Sequence, residues 1–277
     1  MSNGIHPFIR QAIEDTILTR FDLKNQSIVE KEPTLAVIDL ELKDNLKADD
    51  SHDGKAYYAT LTDGSVKKLT RVSKLLKYWK GQEYNGESSA AAIGTAVHKA
   101  IELILQGKID DALDQPHDPE VIHCLVQFMD WLEANPVELV ASEARVWNIH
   151  MGLAGTLDAL VKRGNKYWLL DFKSTSVENC TKYYYLQQWA YAQCLTRFGI
   201  VLDGISLLCL PKPSHGDKPT ELVLWERGKP DYDKFSADLT ACLTSLVTLN
   251  NNFNQLNPPA LQKKSSASPL AHSAATP

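Results

Sequence analysis

Residues Ala154–Thr175 read AGTLDALVKRGNKYWLLDFKST. Two β-rich runs flank Gly164-Asn165, a pair suited to a two-residue hairpin loop. With those residues in the loop, Arg163 faces Lys166, and the register sets Asp158 directly opposite Asp171. Two carboxylates that are cross-strand neighbours, roughly 5 Å apart at Cβ, repel one another unless something positive lies between them. Lys173, two residues past Asp171, points to the same face because side chains alternate along a strand. One hairpin therefore presents two acids and one ammonium on a single face. Such oxygens suit a hard divalent cation, Mg²⁺ or Mn²⁺, and a lysine beside it suits phosphoryl chemistry. The same spacing also fits a purely structural arrangement, an Asp158–Lys173 ion pair with Asp171 solvated.

Periodicity and turn signals extend outward from this hairpin. A helix is expected over Pro7 to Arg20, an apolar strand-like run over Leu35 to Leu40, and an acidic, turn-rich stretch to Asp53-Gly54. Lys55 to Leu61 alternates like a strand, after which Asp63-Gly64 turns into a helix over Thr70 to Trp79. Helices follow over Ile93 to Gln106 and Pro119 to Ala134, the second opened by proline and stopped before Pro136. Strands are expected over Leu139 to Ile149, Leu153 to Lys162 and Tyr167 to Thr175. A helix over Lys182 to Phe198 then leads to strands Ile205 to Leu210 and Glu221 to Glu226, and to a last helix from Tyr232 to Asn250. This order predicts an α/β (α+β) chain with a mixed central sheet flanked by helices. Residues 1–55 form an amino-terminal extension, 56–255 one core, and 256–277, rich in Pro, Ser and Ala, a flexible tail.

The 277 residues are 44% hydrophobic and 23% charged, which excludes a fibrous or wholly disordered chain. The five cysteines are widely spaced with no C-x-x-C pair, so reduced core residues are expected rather than a disulfide framework or metal cluster. No apolar run is long enough for a bilayer and the start has no signal core, so a cytoplasmic setting without membrane contact is expected. A net charge of -5 argues at first against a nucleic-acid partner. Residues 64 to 82, however, carry six basic residues and no acid, leaving -11 on the rest. On a helical wheel Lys67, Arg71, Lys74 and Lys77 share one side, a ridge able to track phosphates or simply a solvated face.

Four ordered motifs sharpen the picture: Gly94-Thr95-Ala96-Val97-His98 on a helix, Gly155-Thr156-Leu157-Asp158, Asp171-Phe172-Lys173, and Gln187 to Tyr191 on the helix after the lysine strand. In this order and spacing they resemble the PD-(D/E)XK nucleases, and within them the RecB-like exonuclease branch, over about residues 69 to 191. The resemblance implies a restriction-endonuclease-like fold. It implies that His98, Asp158, Asp171 and the Phe172 backbone carbonyl bind Mg²⁺ or Mn²⁺, that Lys173 is catalytic, and that Glu143 orients a metal-bound water. Gln187 and Tyr191 would contact the DNA backbone or support the lysine. The iron–sulfur cluster of some relatives is not expected, because the late cysteines are missing from the required pattern.

By the same resemblance the partner is DNA, as single strands or duplex ends, with a recombination or replication protein as a further partner. The activity would be metal-dependent exonuclease cleavage in replication, recombination or repair, as in phage exonucleases. A restriction-type or structure-specific endonuclease and a non-catalytic DNA-binding subunit are the alternatives. From the residues alone, His98 and Glu102 border the apolar stripe of their helix and can look into a cleft. Gln187 and Tyr191 share a face with Tyr184, which is equally compatible with core packing. Phosphate-loop, dinucleotide and nucleophile-elbow motifs are missing from the sequence.

Overall fold

The structure is a computed structural model and describes residues 21–22, 27–28, 37–44, 55–80, 89–113, 118–197 and 200–256. The helix expected over Pro7–Arg20, residues 45–54 of the acidic stretch and the tail beyond Leu256 lie outside them, whereas residues 41–44 of that stretch are strand. In chain order the strands are β1 (Phe21–Asp22), β2 (Ser27–Ile28), β3 (Val37–Asp44), β4 (Lys55–Leu61), β5 (Val66–Arg71), β6 (Glu138–Asn148), β7 (Leu153–Arg163), β8 (Lys166–Lys173), β9 (Gly204–Cys209) and β10 (Glu221–Glu226). The helices are α1 (Val72–Lys80), α2 (Ser89–Leu105), α3 (Ile109–Leu113), α4 (Pro119–Ala134), α5 (Lys182–Arg197) and α6 (Pro230–Leu256).

The central hairpin has the expected register, with Arg163 opposite Lys166 and Ala159 opposite Leu170. Gly164 in its loop takes φ 60°, a left-handed conformation that glycine adopts without steric penalty. β6 lies antiparallel on the other side of β7, β9 runs parallel to β8, and β10 closes that flank antiparallel to β9. The long connection through α5 supplies the crossover that a parallel β8–β9 pair requires. At the other end, β5 meets β7 in parallel through Thr70 and Arg71, and β4 and β3 continue antiparallel from β5. The result is a mixed sheet, the architecture expected from the order of elements.

Alternation along β7 and β8 feeds two cores, one on each face of the sheet. Ala159, Val161, Leu170 and Phe172 pack with Val97 and Ile101 of α2 and Cys124 and Phe128 of α4. Leu160 and Leu169 pack on the opposite side with Leu75 and Leu76 of α1, Leu186 and Trp189 of α5, and Leu239 and Leu243 of α6. At roughly 1.5–3 kcal/mol for each large aliphatic side chain fully buried, this two-sided burial is what holds helices on both faces. α4 begins as its sequence dictates: the Asp118 carboxylate accepts from the Glu120 N–H at 2.8 Å, and Pro119 occupies the first turn.

One expected element is corrected. Asp63-Gly64 does not lead into a helix; it turns a hairpin between β4 and β5, with Gly64 at φ 79° and the Asp63 carboxylate accepting from the Ser65 N–H at 2.8 Å. Residues 66–71 are a strand because they have partners on both sides, β4 and β7, and pairing overrides the weak helical pattern of VKKLTR. The helix starts two residues later than expected, at Val72. Lys67 and Arg71 therefore lie on a strand and Lys74 and Lys77 on a helix, so the single helical face proposed for these four does not form. The other expected elements within the described residues agree to within a few residues at each end, apart from the last helix, which runs on to Leu256; β1, β2 and α3 have no counterpart among the expected elements.

Candidate active site

Backbone pairing between β7 and β8 ends at Ala159 and Leu170, one position short of Asp158 and Asp171. There the Asp158 carboxylate takes over the role of a backbone partner, its Oδ2 accepting from the Phe172 N–H at 3.0 Å. The freed Phe172 carbonyl meets His98 instead, at 2.8 Å from Nε2, while His98 Nδ1 lies 3.3 Å from Asp158 Oδ2. His98 reaches them from α2, which the apolar residues Val97 and Ile101 hold against the sheet. Its ring thus bridges one carboxylate and one carbonyl. Burial alone would lower the imidazole, but the Asp158 charge and contact outweigh it and raise the group to about 9. Burial would likewise raise Asp158, but His98, Lys173 and the Phe172 N–H lower it to about 2.

Glu143 completes the cluster from β6. Its neighbours Ser142 and Ala144 pair with Ala159 and Leu157, which puts Glu143 across from Asp158. Among the described residues it is the one non-glycine with positive φ, at 48°. A left-handed residue inside a strand costs about 1–2 kcal/mol and persists only where the flanking ladder imposes it. Ligand atoms of His98, Glu143 and Asp158 all lie within 4.8 Å of one another, at the floor of a cleft of about 620 Å³ that Gly94, Thr95, Lys99 and Glu102 also line. Burial, together with the nearby Asp158 carboxylate, pushes Glu143 up to about 7.

Asp171 lies outside that group of three. It is fully buried, and the Lys173 ammonium sits 2.5 Å from its Oδ2, although neither oxygen is in an aligned hydrogen bond. The structural alternative of an Asp158–Lys173 pair with a solvated Asp171 is therefore not the arrangement found. Burial raises Asp171 to about 6, with Lys173 drawing it down and Asp158 pushing it up. For Lys173, burial works against the ammonium, but Asp171 and Asp158 overcome it and raise the group above its ordinary value. The ammonium also lies 4.8 Å from the centre of the Tyr184 ring, a cation–π contact. Tyr184 was legible only as part of a polar-aromatic stripe. Its place under Lys173 depends on how residues 174–181 turn back, which no spacing rule encodes.

Gln187 and Tyr191 do meet: the Gln187 amide donates to the Tyr191 hydroxyl at 3.2 Å. Tyr191 is 3% exposed and packs on Gly155, where a Cβ would come within 2.5 Å of its ring. A direct DNA contact from Tyr191 is excluded by that burial. Its position ties the glycine of one sequence motif to the tyrosine of another and so supports the strand that carries Asp158. Glu102, bordering His98 on α2, lines the cleft as its helical spacing indicates, with its carboxylate held by Lys99 at 2.7 Å and Gln106 at 2.9 Å. Lys67 donates to the Ile149 carbonyl at 2.9 Å, and Lys74 and Lys77 are half-buried on α1.

The donor set suits a hard divalent cation. It offers two carboxylates, an imidazole and a backbone carbonyl, and Asp171 behind them is a buried carboxylate paired with the Lys173 ammonium. Among the described residues, no helix is long and apolar enough to cross a membrane. No family model matches the chain, and no curated protein matches it. Solved structures similar to it include one titled as the crystal structure of SSO0001, at 13% identity and a TM-score of 0.26, covering 63% of this chain and 84% of that one. Another is an alkaline exonuclease from Laribacter hongkongensis, at 11% identity and a TM-score of 0.32, covering 68% of this chain and 94% of that one.

Proposed function

We propose that the chain is a divalent-metal-dependent deoxyribonuclease that hydrolyses phosphodiester bonds, acting as an exonuclease at DNA ends. The observation that carries this reading is the convergence of His98, Glu143 and Asp158 within 4.8 Å from three different elements, with the Asp171–Lys173 pair directly behind them. His98, Asp158, Asp171 and the Phe172 carbonyl would hold Mg²⁺ or Mn²⁺, with Glu143 facing the same ion. When bound, the ion supplies Lewis-acid polarisation of a phosphoryl oxygen and acidifies a water. Glu143 orients the attacking water by accepting its hydrogen bond at the carboxylate, and it takes the proton that the water gives up. Lys173, kept cationic by Asp171 and positioned over Tyr184, offsets negative charge developing on the phosphoryl group. Asp158 and Asp171 fix the donors on either side of the opened strand pair.

Exonuclease action, rather than endonuclease action, rests on the motif resemblance. Purified protein incubated with end-labelled linear DNA, single- and double-stranded, and with closed circular DNA tests both levels. Release of mononucleotides or short products from linear DNA alone, dependent on Mg²⁺ or Mn²⁺ and lost in Lys173→Ala, is the expected result. Cleavage of closed circles would replace the exonuclease reading by the endonuclease one. No metal-dependent cleavage of any substrate by the folded protein would refute the proposal and favour a non-catalytic DNA-binding role.

A further inference from the structure

Cys180 and Cys209 reach one place from different parts of the chain. Cys209 ends β9, where the parallel register sets it beside Lys173, and it is fully buried. Cys180 is half-buried, between the 3₁₀ turn Val177–Asn179 and the start of α5. Their Sγ atoms lie 3.2 Å apart, and a disulfide bond is about 2.05 Å long, so closure moves each sulfur by about 0.6 Å. The backbone on both sides is held: the Cys180 N–H donates to the Val177 carbonyl at 2.9 Å, and the Leu210 N–H donates to the Lys173 carbonyl at 2.8 Å. Of the remaining cysteines, Cys124 donates to the Leu210 carbonyl at 3.3 Å and is buried, as is Cys194.

The two thiols are also unlike. The contact with Cys209 lowers the Cys180 thiol, and the same contact together with burial pushes Cys209 up. Cys180 is the sulfur that a peroxide reaches, and the buried Cys209 is placed to resolve it.

The geometry points to Cys180 and Cys209 as a reversible redox pair that closes to a disulfide when the protein meets a peroxide. The Cys180 thiolate sulfur attacks one peroxide oxygen and the O–O bond breaks, leaving Cys180 as a sulfenic acid and releasing hydroxide. The Cys209 sulfur then attacks the Cys180 sulfur and the S–O bond breaks; the thiol proton of Cys209 leaves with that oxygen as water. The peroxide is reduced by two electrons and the two thiols are oxidised by two, and a dithiol reductant reverses the step. The closed bond staples the segment after Lys173 to the end of β9. Tyr184, four residues beyond Cys180 in the first turn of α5, lies against the Lys173 ammonium. Resting on the nuclease role proposed for Lys173, closure draws Cys180, and with it the start of α5, by about 0.6 Å, which shifts Tyr184 against the ammonium; hydrolysis is expected to slow about ten-fold, less than the roughly 100-fold that a 1 Å misplacement can cost.

The reduced full-length chain is treated with near-stoichiometric hydrogen peroxide, alkylated, and mapped by mass spectrometry without reduction. A Cys180–Cys209 linked peptide, about 2 Da lighter than the thiol pair and restored by dithiothreitol, is expected. Cys180→Ser should give no link and a hydrolysis rate indifferent to peroxide. Cys209→Ala should instead accumulate Cys180 sulfenic acid that dimedone traps. Sulfinic or sulfonic acid on Cys180 of the wild-type chain without a link, or thiols untouched by excess peroxide, overturns the pair. Linked protein that hydrolyses DNA as fast as the reduced form overturns its effect on Lys173. Linked protein whose reduced form never cleaves DNA leaves the redox pair standing and overturns only the nuclease reading.

Discussion

Gly155→Ala isolates the contact that joins two of the sequence motifs. The added methyl would lie 2.5 Å from Tyr191 Cε1 and 3.2 Å from both Cζ and the hydroxyl oxygen, so the ring must retreat by about 1 Å to reach ordinary contact. The strand has little freedom to yield, because Gly155 is paired with Val146 in the β6–β7 ladder. The ring has little either: Tyr191 is buried, and α5 is tied to α6 by the Trp189 indole donating to Thr240 at 3.0 Å. Overpacking of this kind costs about 1–3 kcal/mol. A working value of about 2 kcal/mol lowers Tm by about 4–8 °C in a chain of this size. In a Tyr191→Leu background the ring atoms that create the clash are gone. The same Gly155→Ala change should then cost under about 0.5 kcal/mol, giving a coupling energy of about 1.5 kcal/mol. Urea unfolding of the four proteins measures it. Equal costs in both backgrounds would show that Gly155 is not there to admit Tyr191, and the packing link between the motifs would fall.

Lys173→Met leaves the Asp171 carboxylate buried without its ammonium and should cost about 3–5 kcal/mol in urea unfolding, while Asp171→Asn added to it should recover most of that loss. Neither variant should cleave DNA; a Lys173→Met protein as stable as the parent would mean that the pair found here does not form in solution. Burial and the Asp158 charge raise the folded-state Glu143 carboxyl to about 7, against an ordinary value of 4.5, so the native state holds its proton more tightly. Its contribution to stability is therefore complete below about 4.5 and lost as pH rises towards 7. Stability profiles of wild type and Glu143→Gln should accordingly diverge over that interval, the wild type losing ground, and millimolar Mg²⁺ or Mn²⁺ should return it. Parallel profiles would place Glu143 in solvent rather than among buried acids.

Much of the architecture follows from local chemistry. The Gly164-Asn165 turn and the alternation on each side set the β7–β8 register, and that register alone brings Asp158, Asp171 and Lys173 to one end of a hairpin. α4 could be bounded to the residue because Pro119 and Pro136 act on their immediate neighbours. β5 could not, because a run such as VKKLTR acquires its identity from β4 and β7, strands elsewhere in the chain. The basic face drawn on a helical wheel failed for the same reason.

The motif residues were legible as a set, and their division of labour was not. Spacing places two carboxylates opposite one another, and it cannot say that the ladder stops just before them, turning Asp158 towards His98 and leaving Asp171 to Lys173. Nor can it announce that Glu143 bends into a left-handed conformation, that Tyr184 swings under the lysine, or that two cysteines widely separated in sequence come within 3.2 Å. Sequence by itself determined which residue types alternate, turn and cap, since those preferences act over a few bonds. The tertiary structure decided which charges share a buried space, because electrostatic partnership depends on distance and solvent exclusion, and both exist only once the two faces of the sheet are covered.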